Sequence, residues 1–158
     1  MGYTEALSEK LALVGYISTS AGLSGASKQS ATIDMDIFRR ALIILQAHAA
    51  ETIATTNGGA VLTIWDSGAT GTTPSTANIT MTGLQMPTTS KAYQCIAEVR
   101  AEQLGKVNTG STYGRFFRAR VKHGTLDSIS NVIVLGDTSR YGPASDYDLA
   151  SVAEIKTE

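Results

Sequence analysis

The sequence has little of several residue types, and each shortage excludes a class of protein. Its single cysteine, Cys95, excludes an internal disulfide and a cysteine-based zinc site. Charged residues make up only 17% of the chain, and the formal net charge of -1 gives no overall signal for nucleic acid or a membrane surface. No apolar run reaches the roughly 18 residues of a membrane span. The N-terminus lacks the pattern of a secretory signal, so we expect synthesis in the cytoplasm.

Residue patterns for catalysis and metal binding are also missing. The two histidines, His48 and His123, lie in different segments, and neither belongs to a pair with metal-ligand spacing. No G-x-S-x-G elbow is present, and two Asp-x-Asp pairs lack the further ligands of a calcium loop. We therefore expect no enzymatic activity, no metal and no cofactor.

The residues that are present favour β-strands in the second half of the chain. Residues 91–104, KAYQCIAEVRAEQL, alternate apolar and polar side chains, which is typical of a half-buried strand, and Ile96 interrupts the polar side. Residues 115–123, RFFRARVKH, alternate in the same way, with a basic outer face. The continuous apolar run at 130–136, SNVIVLG, predicts a central strand covered on both sides. These three strands are expected to be neighbours in one sheet.

The first half of the chain gives weaker signals. Residues 31–49 fit either a helix or a buried strand, and we favour a strand because the rest of the chain offers mainly strands to pair with. The Asn57-Gly58 hairpin signal leads into a strand at 60–65. The threonine-rich stretch 66–90 predicts a long loop with one short edge strand. The helical spacing of Leu7, Leu11 and Val14 predicts a short amphipathic helix or arm over residues 3–14.

These signals divide the chain into two parts. Residues 1–29 form an N-terminal arm and a Gly/Ser-rich loop, and residues 30–158 form one β-rich domain that includes the loop at about 66–90 and a tail at 137–158. Charge is segregated, since residues 91–123 are basic and the tail is acidic. The two regions are either separate solvated faces, or they meet within one chain or between copies.

The basic strand could alternatively belong to a sheet surface that binds nucleic acid, because Arg118 and Arg120 lie close to Phe116 and Phe117 in the sequence. On a strand, however, Phe117 points into the core, so that Phe116 is the single ring on the basic face. Together with the near-zero net charge, this argues against a nucleic-acid partner.

Three stretches resemble small head proteins of tailed bacteriophages. They are residues 134–155, VLGDTSRYGPASDYDLASVAEI, residues 30–40, SATIDMDIFRR, and residues 96–104, IAEVRAEQL. The pattern is similar to that of capsid decoration, or cement, proteins, and it does not extend to residues 57–90 or to the N-terminal arm. The resemblance implies an all-β fold, an antiparallel β-sandwich or jelly-roll-like subunit. It further implies a virion location on the capsid surface, with the major capsid protein of a tailed phage as partner. A homo-oligomer is implied as well, with a trimer favoured and a dimer possible.

The arm, the 66–90 loop and the tail are the candidate contact elements. Within the tail, the candidate partner-binding residues are Tyr141, Pro143, Asp146, Tyr147, Asp148 and Leu149. Two other functions remain open, another phage head or tail subunit and a carbohydrate- or ligand-binding β-sandwich. The latter would use Trp65, Tyr113 and Tyr141 as a binding platform.

Overall fold

The computed structural model describes residues 10–18, 27–49, 61–66, 76–80, 92–104, 115–122, 128–139 and 144–152. These residues form nine β-strands and two short 3₁₀ turns, Ala101–Gln103 and Ala144–Tyr147. The strands are β1 (Leu11–Ser18), β2 (Ser27–Gln29), β3 (Ile33–Asp34), β4 (Phe38–Ala49), β5 (Val61–Asp66), β6 (Thr76–Thr80), β7 (Ala92–Arg100), β8 (Phe116–Lys122) and β9 (Ser128–Ser139). None of the helical turns in this part of the chain is long and apolar enough to cross a membrane.

The strands build two antiparallel sheets that share one core. The first sheet has the order β1-β9-β4-β7, and the second has the order β2-β8-β5-β6, with β3 also paired to β8. Alternate side chains of each sheet point inward and form a single cluster. Its largest members include Phe38, Phe117, Ile43, Leu45, Leu62 and Ile64. The predicted all-β sandwich is therefore confirmed.

Most strand predictions are also confirmed. The alternating run at 92–100 is β7, with Cys95, Ala97 and Val99 buried, and the basic run is β8, with Phe117 fully buried. Residues 38–49 are a strand rather than a helix, and the short strand in the threonine-rich stretch lies at the edge of the second sheet.

Two predictions about strand partners are wrong. The three strands of the second half are not neighbours in one sheet, because β7 and β9 belong to the first sheet with β4 between them, whereas β8 belongs to the second. The strands that flank Asn57-Gly58 do not form a hairpin, because β4 and β5 lie in different sheets. In both cases pairing across the sandwich overrides the order of strands along the chain.

The N-terminal helix is also wrong for residues 11–14, which begin strand β1. Pairing with β9 points Ala12 and Val14 into the core. Of the remaining residues of the predicted helix, Lys10 is helical, and residues 3–9 lie outside the described residues. Both β1 and β2, which come from the predicted arm and loop, contribute edge strands to the sandwich.

The ring of Phe38 packs directly over Gly136. A Cβ atom on Gly136 would lie 2.6 Å from Cδ1 of Phe38, so glycine is needed for the ring to lie flat against β9. The Tyr147 ring meets Phe38 edge-on, with a centroid distance of 5.7 Å and an interplanar angle of 80°. This edge-on contact joins the 3₁₀ turn Ala144–Tyr147 to the core.

Candidate functional site

The outer face of the first sheet carries side chains in cross-strand rows that the strand register aligns. One row joins Tyr16 on β1, Ile133 on β9, Ile44 on β4 and Ile96 on β7. The next row joins Leu13, Leu135 and Leu42 and ends at Glu98. The seven apolar residues of these two rows form one surface, which we name the apolar band.

The apolar band is partly open to solvent. Tyr16 is 53% exposed, Ile96 63% and Ile133 39%, and these are the exposed large hydrophobic residues of the described chain. All three belong to the same row, and the other four members of the band are half-buried. Single exposed hydrophobic residues are ordinary, but a contiguous row across a whole sheet indicates an interaction surface.

Polar rows flank the apolar band on both sides. One is an amide-rich row formed by Ser18, Asn131, Gln46 and Gln94. The other contains Leu11, Asp137, Arg40 and Arg100, in which Arg40 Nη2 and Asp137 Oδ2 are 2.5 Å apart. An apolar centre with a polar rim is the usual layout of a protein–protein interface.

The sequence contained two signals for this face. Ile96 interrupts the polar side of β7, and the runs of β4 and β9 are apolar on both sides. Such runs predict strands covered on both faces. In the described residues the inner face is covered, whereas Ile133 on the outer face is exposed.

Two of the tail residues predicted to bind a partner, Asp148 and Leu149, contact the first sheet of their own chain. Asp148 Oδ1 accepts a 2.5 Å hydrogen bond from the Leu13 backbone N–H, and the Leu149 N–H donates a 2.8 Å bond to the Leu13 carbonyl. Both bonds occupy the outer edge of β1, which would otherwise be open to another strand. A carboxylate and a backbone amide thus fix the tail to the protein's own edge strand.

The other four predicted tail residues differ in their surroundings. Tyr147 packs on Phe38, and Asp146 is exposed. Tyr141 and Pro143 lie outside the described residues. Binding of a partner by this set stays a prediction.

The outer face of the second sheet is basic and partly aromatic. Arg118 donates hydrogen bonds to Gln29 Oε1 at 2.7 Å and Thr32 Oγ1 at 3.2 Å. The guanidinium carbon of Arg120 lies 4.3 Å from the centroid of the Trp65 ring. One face of the Trp65 ring is therefore covered by an arginine, which weakens its case as a sugar-stacking platform. Tyr113 and Tyr141, the other platform candidates, are not described.

Arg115 neutralises the acidic turn that follows β3. Its Nε and Nη2 atoms donate to the two carboxylate oxygens of Asp34 at 2.7 and 2.6 Å, and the Asp36 N–H also donates to Asp34 Oδ1. Partial burial by itself raises the pKa of Asp34, but these hydrogen bonds and the charge of Arg115 outweigh it and lower the pKa below the usual 3.8. This bidentate pair ties the β3 turn to the start of β8.

Chemically reactive groups are few in the described residues. The Cys95 thiol is buried, and this burial raises its pKa above the usual 9.0. Among the described side chains, no three metal-ligating residues cluster together. His48 belongs to β4, its side chain is not described, and His123 lies outside the described ranges.

Comparison with known proteins adds a distant structural similarity. No family model matches the chain, and no curated protein matches it. A chain in the structure of infectious bursal disease virus, Gx strain, is similar to it with a TM-score of 0.39 and 13% sequence identity. The match covers 86% of this chain and 33% of that chain, so this chain spans about a third of the viral chain's length. A similarity this weak carries no conclusion about function, and the fold class rests on the strands and their register.

Proposed function

We propose that this protein is a virion structural subunit that binds the outer surface of the major capsid protein shell of a tailed bacteriophage and stabilises the head. The observation that carries the proposal is the apolar band, which spans all four strands of the first sheet between two polar rows. The sequence resemblance of residues 134–155 to phage head proteins supports this choice of partner. Under this proposal the protein has no catalytic role and needs no cofactor.

The size of the apolar band suits a repeated, individually weak contact. Four strands and two rows cover roughly 19 Å by 14 Å at ordinary sheet spacings. Burying that surface contributes about 7 kcal/mol from this side of the interface at ~25 cal/mol per Å². Association itself costs about 4–15 kcal/mol, so one copy binds modestly. A shell offers the same site many times, and linked copies gain affinity by multivalency.

Binding to shells tests the proposal directly. Purified protein is added to expanded shells that lack it, and the bound fraction is measured by co-sedimentation. Ile133→Asp places a charge at the centre of the apolar band and is expected to abolish binding, because the carboxylate would have to be desolvated. Ser27→Asp is the matched control, since it adds the same charge to the exposed strand β2 of the other sheet.

Three results would contradict the proposal. They are failure of the wild-type protein to occupy regular lattice positions, equal binding by Ile133→Asp, and loss of binding by the Ser27→Asp control. Another role in the same particle, such as a head-completion or tail subunit, is distinguished by copy number. Copies spread over the whole shell support decoration, whereas a single ring of copies supports a connector.

A further inference from the structure

Strand β7 forms one edge of the first sheet and is long for an edge strand. It has nine residues, and in the described part of the chain it pairs with β4 on one side only. An edge of this length offers backbone N–H and C=O groups to another strand. Proteins commonly protect such edges with prolines, bulges, very short strands or charged side chains. The register of β7 against β4 is regular from Arg100 to Ala92, and the exposed charges of Glu98 and Arg100 pair with each other at 3.0 Å.

The centre of β7 carries an apolar side chain, which is unusual for a protected edge. Ile96, at the middle of the strand, is 63% exposed, more than Tyr16 at the opposite end of the same row. Its exposed neighbours are Gln94 on one side and Glu98 on the other. An exposed isoleucine at the centre of an edge that has no second strand among the described residues indicates that this edge is covered in the assembled protein.

We propose that β7 pairs antiparallel with β7 of a second copy around a two-fold axis at Ile96. This pairing joins the two first sheets into one continuous sheet of eight strands, four from each copy. The contact is isologous, because each copy contributes the same strand. The partner is thus a second copy of this chain, held by backbone hydrogen bonds and matched side-chain pairs.

The side chains of β7 select this register. With the axis at Ile96, the two Ile96 side chains face each other, and Gln94 of each copy faces Glu98 of the other, so that an amide can donate to a carboxylate. On the inner face Cys95 is placed opposite Ala97, and both are small and buried. Centring the axis on Glu98 would oppose two carboxylates, and centring it on Ala97 would oppose Ile96 and Glu98. Both alternatives are less favourable.

The pairing would extend the apolar band as well as covering its most exposed member. The row Tyr16–Ile133–Ile44–Ile96 would continue into the same row of the second copy. The combined band would run about 38 Å across the joined sheets at ordinary strand spacing. The inference concerns self-association alone, so it does not depend on the proposed shell binding.

Self-association of matched variants tests the proposal. Ile96→Lys places a charge on the proposed axis, where it would meet its own symmetry copy. Tyr16→Lys makes a comparable change at the far end of the same row, on β1. By sedimentation equilibrium we expect a wild-type dimer, a dimer for Tyr16→Lys, and self-association weakened about a hundredfold or more for Ile96→Lys. A monomeric wild-type protein, or equal weakening by the two variants, would overturn the proposal.

Disulfide trapping tests the same contact independently. It scores the formation of a covalent dimer, so a variant that is merely destabilised cannot give a positive result. Paired residues in an antiparallel sheet have Cα atoms about 4.5–5.5 Å apart, within the range that a disulfide spans. In a Cys95→Ala background, Ile96→Cys is therefore expected to form a covalent dimer under mild oxidation, and Tyr16→Cys is expected to stay monomeric on a denaturing gel. If Ile96→Cys does not cross-link, or if Tyr16→Cys cross-links equally well, the edge pairing is wrong.

The two proposals can fail separately. A protein that binds shells as a monomer would overturn the edge pairing and leave the proposed function standing. A protein that forms the Ile96-linked dimer and never binds shells would do the reverse.

Discussion

Asp148 holds the backbone of Leu13 through its carboxylate, which accepts the Leu13 N–H at 2.5 Å across 135 residues of sequence. With the Leu149 N–H bound to the Leu13 carbonyl, the tail occupies the edge of β1 as a further strand would. The two edges of the first sheet are therefore treated differently. The tail contacts the β1 edge, whereas in the described residues β7 has a strand partner on one side only.

The bond between Asp148 and Leu13 is expected to contribute to stability. Asp148→Ala leaves the partly buried Leu13 N–H without this acceptor, and we expect a loss of about 1–2 kcal/mol in the free energy of unfolding. Asp148→Asn keeps an oxygen acceptor and should lose less. Urea unfolding measures both losses, and hydrogen exchange at the Leu13 amide reports the bond itself. Unchanged exchange in Asp148→Ala would contradict this assignment.

Glycine at position 136 is required by the ring of Phe38. In Gly136→Ala the new Cβ would lie 2.6 Å from the ring, so we expect destabilisation by about 1–3 kcal/mol from overpacking. Gly15→Ala is the control, because its Cβ would lie 3.3 Å from its nearest neighbours and require a smaller adjustment. Adding Phe38→Leu should relieve part of the Gly136→Ala cost in a double-mutant cycle. Strict additivity of the two changes would show that they do not interact.

The ion pair between Asp34 and Arg115 predicts a specific pH dependence. Because the pKa of Asp34 is lowered in the folded state, the pair stabilises the fold above about pH 4, the range of an unperturbed aspartate, and this stabilisation is lost as the pH falls through the lowered pKa. Arg115→Gln should therefore reduce stability at neutral pH and make little difference in strong acid.

The control for this experiment removes the titrating group. In an Asp34→Asn background, Arg115→Gln should have an effect that changes much less over the acid range, because the contact of Arg115 Nη1 with Asp36 Oδ2, at 3.8 Å, is longer than the contacts with Asp34. Urea unfolding at several pH values measures both series. A constant effect of Arg115→Gln in the wild-type background would contradict the assigned pair.

The thiol of Cys95 is expected to be inert in the folded protein. It is 6% exposed on the inner face of β7, and burial raises its pKa, so the reactive thiolate is scarce at neutral pH. Ellman's reagent should label it only after denaturant unfolds the chain. Rapid labelling under native conditions would show that the inner face of β7 opens readily.

Local pattern predicted the strands better than it predicted their partners. The alternation of β7 and β8 identified both strands and their buried sides, because side-chain period is a local property. Which sheet each strand joins depends on pairing between distant segments. The sequence pattern predicted that residues 115–122 lie beside residues 92–100 in one sheet, whereas the structure has them in opposite sheets.

The sequence pattern did not reveal strand β1, because the pairing of β1 with β9 is irregular. The register of β1 against β9 shifts between Leu13 and Gly15, so that Val14 and Gly15 are both buried. This bulge breaks the strict alternation of a strand, and the remaining spacing of Leu7, Leu11 and Val14 imitates a helix. The sequence did not reveal the apolar band either, because its rows depend on the register of four strands that are distant along the chain.

An electron cryomicroscopy reconstruction of shells decorated with the protein tests whether the outer face of the first sheet binds the shell, as we propose. We expect density at regular lattice positions, with the apolar band, including Ile44 and Ile133, against the capsid surface and the Arg118 and Arg120 face turned outward. Density with the arginine face against the shell, or shells that stay bare, would contradict it.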